Sequence, residues 1–307
     1  MSDPTSRINP ATPQETEALA LKARTLMEAL PYIQRFRGAT VVIKYGGHAM
    51  LAPDLKHRVM QDVVLMENVG INPVIVHGGG PEITTLMNRM GIQAEFIDGQ
   101  RVTTAETLDV AEMVLAGKLN GEIVTRLIGL GGRAVGLSGK DGGLITARKL
   151  NDAAGRDMGY VGEVERIDPE IIRVLEKNGF IPVISPIGAD RDGQTWNINA
   201  DTAAAELAMA LKADKLILLT DVRGILRDPG DPASLIRRIA ADDVEPLIAQ
   251  GVIGGGMIPK ARACRRALEQ GVGSTHILDG RMPHALLTEL FTDQGVGTMI
   301  HSGASDR

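Results

Sequence analysis

The sequence predicts an α/β protein, a three-layer αβα sandwich built on a mainly parallel sheet, with a separate helix ahead of it. Three observations carry that reading: short apolar runs, helix-spaced segments alternating with them, and glycines where the helical patterns stop. The runs TVVIKY from Thr40, PVIVH from Pro73, IPVIS from Ile181, KLILLT from Lys215 and THIL from Thr275 are continuous rather than alternating. Strands covered on both faces read this way. Helical patterns fit at 54–68, 106–115, 169–178, 201–211 and 259–271, and Gly70, Gly91, Gly179 and Gly271 stand at helix ends, where a residue free to take positive φ stops a helix. Strand and helix in alternation give a parallel sheet with helices on both sides.

The N-terminal region differs. MSDPTSRINPATPQE has neither the apolar core of a secretory signal nor the Arg-rich amphipathicity of an organelle presequence, and reads as a disordered arm. In TEALALKARTLMEALPYIQRFR, Leu19, Ala23, Leu26, Leu30 and Ile33 form one helical stripe, stepping by four and three. Pro31 is expected to kink this helix near Leu30. The stripe fits a helix packed on its own domain or an arm laid on a neighbouring subunit, and its place before the first sheet strand favours the arm.

Composition narrows the function. The chain has 307 residues, 3% aromatics and a formal charge of −5. Few rings and no basic excess leave no footprint for nucleic acid or for an anionic membrane surface. No apolar run is long enough for a membrane span. The one cysteine, Cys264, precludes an intrachain disulfide and fits a reducing, cytoplasmic setting. No His/Cys spacing suggests a bound metal.

The chemistry gathers at glycine turns. PVIVH runs into Gly78, Gly79 and Gly80, followed by Pro81 at the opening of a helix. A helix N-terminus offers unpaired N–H groups and a partial positive charge, and residues without Cβ let an anion come close. Neither the dinucleotide fingerprint nor the Gly-Lys-Ser/Thr phosphate loop is present. A second turn, Gly46–Gly47, follows the first sheet strand, and Lys44 interrupts the apolar run just before it. Neighbouring parallel strands would bring both turns to one carboxyl edge, where such sheets bind ligands. A third cluster, GVIGGGMIPKA, carries Lys260. Two lysines approaching one highly charged group suit phosphoryl transfer, which depends on positioning and electrostatic stabilisation.

VIKYGGHAM, VIVHGGGPEI, GQRVTT, GLSGKDGGLI, NINADTAAAELA, LLTDVRGIL and GGGMIPKA occur in this order. Together they resemble the N-acetylglutamate kinases of the amino acid kinase superfamily, over essentially the whole chain from Thr40. The resemblance implies transfer of a phosphoryl group from MgATP to the side-chain carboxylate of N-acetyl-L-glutamate, in arginine biosynthesis. It makes Lys44 and Lys260 the transition-state lysines and Asp201 the residue that orients them. It places Gly79, Gly80, Arg101, Asn197 and Asn199 at the amino-acid substrate, and Gly46 and Gly47 at the ATP phosphates. For the rest of ATP it implies Asp221, Val222, Gly224, Ile225 and Leu226, with Val252, Ile253 and Gly254. Its lobes would be a regulatory arm at 1–38, a substrate lobe at 39–211 and an ATP lobe at 212–307.

Some of these roles have independent chemical sense. The planar fork of Arg101 suits a carboxylate held bidentately. Asn197, Asn199 and Asp201 fall at every second residue, so an extended backbone would aim all three at one face. Asp201 also opens a helix, so it could cap that helix, orient the lysines, or do both. No general base is needed, because a carboxylate acceptor is already ionised at neutral pH, and the histidines His48, His57 and His77 read as packing or polar residues. Magnesium is expected on the nucleotide phosphates.

Members of the resembled family with an N-terminal helix tend to be arginine-inhibited hexamers, trimers of dimers. On that basis Tyr32, His276, Glu289 and Gly295 match an arginine site. Some relatives dock a nitrogen-signalling protein, which no residue pattern here supports. Competing readings are an acetylaminoadipate, glutamate or aspartate kinase, and a non-catalytic arginine sensor of the same fold.

Overall fold

The structure, a computed structural model, describes residues 12–303 except 51, 153 and 294. Most of the expected arm, residues 1–11, lies outside the described residues. Helix α1 (Pro13–Phe36) begins with a capping box: the Thr12 hydroxyl accepts from the Glu15 N–H, and the Glu15 carboxylate accepts from the Thr12 N–H. This reciprocal pairing starts the helix six residues before the apolar stripe. Pro31 lies within α1, which continues unbroken to Phe36, although the ring removes one ladder hydrogen bond. The stripe stays largely uncovered: Leu19, Leu26 and Leu30 are 59%, 71% and 39% exposed.

The chain continues as β1 (Thr40–Tyr45), α2 (Pro53–Asn68), β2 (Asn72–His77) and α3 (Gly80–Arg89). A hairpin, β3 (Phe96–Ile97) and β4 (Gln100–Arg101), turns at Asp98–Gly99, with φ of 50° and 77°. Both turn residues need positive φ to match the twist of the strands, hence the Asp-Gly pair. Next come α4 (Ala105–Glu112) and α5 (Asn120–Gly129), joined by a π-helical stretch, Met113–Leu119. The helix expected at 106–115 therefore runs on through a wide turn instead of ending.

The chain continues through β5 (Ala134–Ser138), β6 (Ile145–Lys149), β7 (Val161–Ile167), α6 (Glu170–Lys177), β8 (Ile181–Ser185), β9 (Ile187–Ala189) and β10 (Thr195–Ile198). Then come α7 (Ala200–Leu211), β11 (Lys215–Thr220), β12 (Arg238–Ala240), α8 (Val244–Ala249), α9 (Met257–Glu269), β13 (Ser274–Asp279), α10 (Ala285–Phe291) and β14 (Thr298–His301). Gly70, Gly91, Gly179 and Gly271 take φ of 89°, 74°, 67° and 97°, as helix-stopping glycines do.

Eight strands form one sheet in the order β12-β14-β13-β11-β1-β2-β8-β5, parallel except that β14, with its parallel partner β12, runs against β13. The five apolar runs seen in the sequence are its five adjacent inner strands. The sheet passes without a break from the strands early in the chain to the later ones through the β1–β11 pair. A separate closed unit of β6, β7, β9 and β10 sits beside it.

Each face of the sheet has its own core. Val41, Ile43 and Tyr45 of β1 pack on the side of α2, α5 and α10, whereas Val42 packs on the side of α7 and α9. Period-two alternation then sends Lys44 to the α7/α9 face. Among the described residues, no helix is long and apolar enough to cross a membrane.

Candidate active site

Three separate elements deliver charge to one point at the carboxyl edge of the sheet. Lys44 is the next-to-last residue of β1, on the α7/α9 face; Asp201 and Lys260 lie in the first turns of α7 and α9. The Lys44 ammonium is 3.0 Å from Asp201 Oδ1, and the Lys260 ammonium donates to Asp201 Oδ2. The Lys44 and Lys260 side chains remain 11% and 20% exposed, so both keep access to the cleft. Burial pushes the Asp201 carboxyl up, but the two ammonium groups outweigh it and hold it below the ordinary carboxylate range. One anion thus keeps two mutually repelling cations together.

The glycine turns make room for this cluster. A Cβ on Gly46 would lie 2.9 Å from Lys44 Nζ, and Gly47 takes φ of 67°. A Cβ on Gly79 would come within 2.4 Å of Leu119 Cδ1 and 2.7 Å of Leu115 Cδ2. Gly79 precedes α3, which starts at Gly80 with Pro81 second rather than first. Gly254 to Gly256 lead into α9 from an exposed turn.

Asn197, Asn199 and Asp201 do not share an extended segment. Asn197 is in β10, and its amide donates to Thr103 Oγ1 at 3.1 Å. Asn199 is the cap of α7, its side-chain oxygen accepting from the N–H groups of Asp201 and Thr202 at 2.9 and 3.1 Å. Capping, which the spacing offered to Asp201, therefore belongs to Asn199, and the Asp201 carboxylate is left for the lysines.

Beside the triad lies a cavity of 210 Å³ lined by Gly78, Gly79, Gly80, Phe96, Arg101, Asn197 and Asn199, among others. The Arg101 guanidinium donates to Gly80 O at 3.0 Å and Thr84 Oγ1 at 2.7 Å, and lies 4.7 Å from the centre of the Phe96 ring. The sequence reading missed Phe96 and Thr84. The Asp-Gly pair between FI and QR is a hairpin signal that could have found Phe96 opposite Arg101.

The segment 221–226 leaves the end of β11 at the same edge. Gly224 takes φ of 142°, and a Cβ there would meet Thr298 Oγ1 at 2.6 Å. The Thr298 hydroxyl accepts from the Ile225 N–H at 2.8 Å. The Ile225 and Ile253 side chains are core residues, so backbone is what these two positions can offer a ligand. Asp221, Leu226 and Val252 are half-buried, and Val222 and Gly254 are exposed. Among the described residues, no cluster of three or more His, Cys, Asp or Glu could hold a metal ion.

A larger cavity, 880 Å³, opens at the opposite edge of the sheet, against the starts of β11 and β13. Tyr32, His276, Glu289 and Gly295 all line it. His276 Nδ1 and Glu289 Oε1 are 2.7 Å apart, and Glu289 Oε2 accepts from the Val296 N–H at 2.7 Å. Burial pushes the Glu289 carboxyl up, yet His276 and the amides of Val296 and Gly297 bring it below the ordinary value. Tyr32 donates to Asp293 at 2.5 Å.

Comparison with known proteins gives the family. The model of the amino acid kinase family matches residues 39–279. Acetylglutamate kinases from Heliobacterium modesticaldum and Moorella thermoacetica are each 58% identical, over 91% and 92% of this chain and 97% and 98% of their own. That of Synechocystis sp. is 54% identical over 94% of this chain and 97% of its own. The structure of N-acetylglutamate synthase from Neisseria gonorrhoeae complexed with coenzyme A and N-acetyl-glutamate gives a TM-score of 0.82 at 30% identity, covering 92% of this chain. This chain spans 64% of that synthase. The same synthase complexed with coenzyme A and L-arginine gives 0.78 at 28% identity, over 92% of this chain and 66% of that one. The chain belongs to the amino acid kinase family and, within it, to the acetylglutamate kinases.

Proposed function

We propose that the chain transfers the γ-phosphoryl group of ATP to the side-chain carboxylate of N-acetyl-L-glutamate, giving N-acetyl-L-glutamyl 5-phosphate and ADP. The observation that carries this is the Lys44–Asp201–Lys260 cluster beside the cavity lined by Arg101. A carboxylate oxygen of the acceptor attacks the γ-phosphorus, and the bond to the β,γ-bridging oxygen breaks. No proton has to be removed, because the acceptor is ionised. Lys44 and Lys260 offset the charge spread over the transferred group and the departing oxygen. Gly79 and Gly80 add N–H donors, and Arg101 holds the acceptor's α-carboxylate. Gly46, Gly47 and the backbone at 221–226 and 252–254 receive the nucleotide. Both Asp201 oxygens already face ammonium groups, so magnesium comes with ATP, on phosphates and water.

The test is an acyl-phosphate assay trapped with hydroxylamine, run with N-acetylglutamate, glutamate, aspartate and N-acetylaminoadipate. Preference for N-acetylglutamate is the expected result; preference for another acceptor, or no acyl phosphate, overturns the assignment.

We further infer that L-arginine inhibits the enzyme from the cavity at the opposite sheet edge. Its lining by Tyr32, His276, Glu289 and Gly295 supports this, as does the likeness to a synthase solved with L-arginine. The uncovered stripe of α1 supports pairing between copies of the chain into a hexamer. Kinetics at rising arginine and sedimentation, on the full chain and on a chain lacking residues 1–38, test both. An arginine-indifferent or dimeric full-length protein overturns the corresponding part.

A further inference from the structure

His77 is fully buried at the end of β2, and phosphoryl transfer as described leaves it without a task. Its surroundings fix which nitrogen carries the proton. The Asn120 side-chain nitrogen lies 2.9 Å from Val183 O, 3.3 Å from Leu137 O and 3.3 Å from His77 Nε2. Two backbone carbonyls can only face the NH₂ end of a carboxamide, and that nitrogen cannot accept a hydrogen bond, so His77 Nε2 meets it without a proton and shares one of its two hydrogens with a carbonyl. Nε2 is therefore an acceptor, and the proton sits on Nδ1. Nδ1 lies 2.9 Å from Gly78 O, so the ring donates to that carbonyl. Burial pushes the imidazole down to about 4, which keeps this neutral form through the physiological range.

The carbonyl of Gly78 belongs to the same peptide plane as the Gly79 N–H. In a trans peptide the two point in opposite directions, and there is no cis peptide among the described residues. His77 packs against Asn120 of α5 and does not itself line the cavity that Gly78, Gly79 and Gly80 line. Gly79 is buried, and its N–H has no protein acceptor among the described residues. The Gly78 N–H is held by Tyr45 O at 2.8 Å. Both sides of this turn are thus clamped, and one donor faces the cavity. Space for Asn120 is also specific: a Cβ on Gly136 would lie 1.8 Å from Asn120 Oδ1.

We propose that His77, oriented by Asn120, is a positioning residue for phosphoryl transfer: its Nδ1–H holds the 78–79 peptide so that the Gly79 N–H points at the reacting group. This rests on the kinase reading above. It predicts an effect on kcat, because a donor aimed where charge develops stabilises the transition state more than bound substrate.

The test compares three variants in the hydroxamate assay, with thermal midpoints measured in parallel. In His77→Asn the side-chain NH₂ occupies the place of Nδ1 and keeps the bond to Gly78 O. His77→Gln reaches Asn120 but loses that donor, and His77→Leu loses both. The Asn variant should retain most of kcat, while the Gln and Leu variants lose roughly a hundredfold, the cost of a displaced catalytic group, with KM for both substrates unchanged. Native kcat in folded Gln or Leu variants overturns the proposal, as does an equal loss in all three. Failure of the native chain to form acyl phosphate overturns the kinase reading instead. If the variants do not fold, ¹⁵N shifts of the histidine rings in the native chain decide: a neutral His77 protonated on Nδ1 is expected, and a proton on Nε2 overturns the inference.

Discussion

Asp201 and Glu289 are carboxylates at opposite edges of one sheet, each raised by burial and pulled back down by its partners. Asp201 is held by two lysine side chains whose tips reach the cleft. Glu289 is held by His276 and by the N–H groups of Val296 and Gly297, the protein's own interior. The first carboxylate arranges cations for something else to use. The second is already occupied, so a guanidinium binding there has to share or replace contacts. The difference teaches that a buried acid marks a ready site only when its partners still face outward.

The largest effects should come from the carboxyl edge. Lys44→Ala or Lys260→Ala removes one preorganised donor, and kcat in the hydroxamate assay should fall about a hundredfold or more. Asp201→Ala tests the arrangement itself. Because Asn199 supplies the cap of α7, the loss should show in kcat rather than in the thermal midpoint; a midpoint shift with native kcat would break the contrast with Glu289.

Acid sharpens the comparison, since the carboxyl edge also buries a neutral ring. In the unfolded chain His77 takes a proton as pH falls through 6.5, whereas the folded ring stays neutral to about 4. The unfolded state binds more protons in that window, so stability falls as pH drops from 6.5 to about 4, by roughly 3 kcal/mol in all. Burial raises the Asp62 carboxyl to about 6, which tilts the curve the other way. Subtracting the denaturation curve of His77→Asn removes that contribution and isolates His77. Next in size, Arg101→Lys should raise KM for N-acetylglutamate about tenfold or more, as a charge-assisted hydrogen bond is lost. Smallest, Glu289→Gln should raise the arginine concentration for half-inhibition about tenfold. An unchanged arginine response would remove Glu289 from that site.

The inner strands and the three charged residues were legible because their signals are local. A lysine interrupting VVIKY can be noticed without knowing what it meets, and glycines after strands announce turns. The edges were harder. β5, β12 and β14 are short, and β6, β7 and β10 mix charged or polar with apolar residues, so neither period stood out. The cap of α7 was offered to Asp201 rather than Asn199 because period-two reasoning assumed extended backbone across a strand-to-helix junction. The His77–Asn120 contact joins residues 43 apart in sequence, and no local pattern in a single chain announces such a pair.

The wide turn at Met113–Leu119 has a consequence for how the family's sequences can drift. A π-helical stretch absorbs a residue that regular α-geometry has no place for. The side chains after it, beginning with Asn120, thereby keep their rotational phase. Losing the absorbed residue would let the helix heal into regular form with the carboxamide still facing the imidazole, whereas a further loss, with no bulge left to take it up, would swing those side chains by about 100°. The stretch therefore tolerates a change of one residue in length that a regular helix would not.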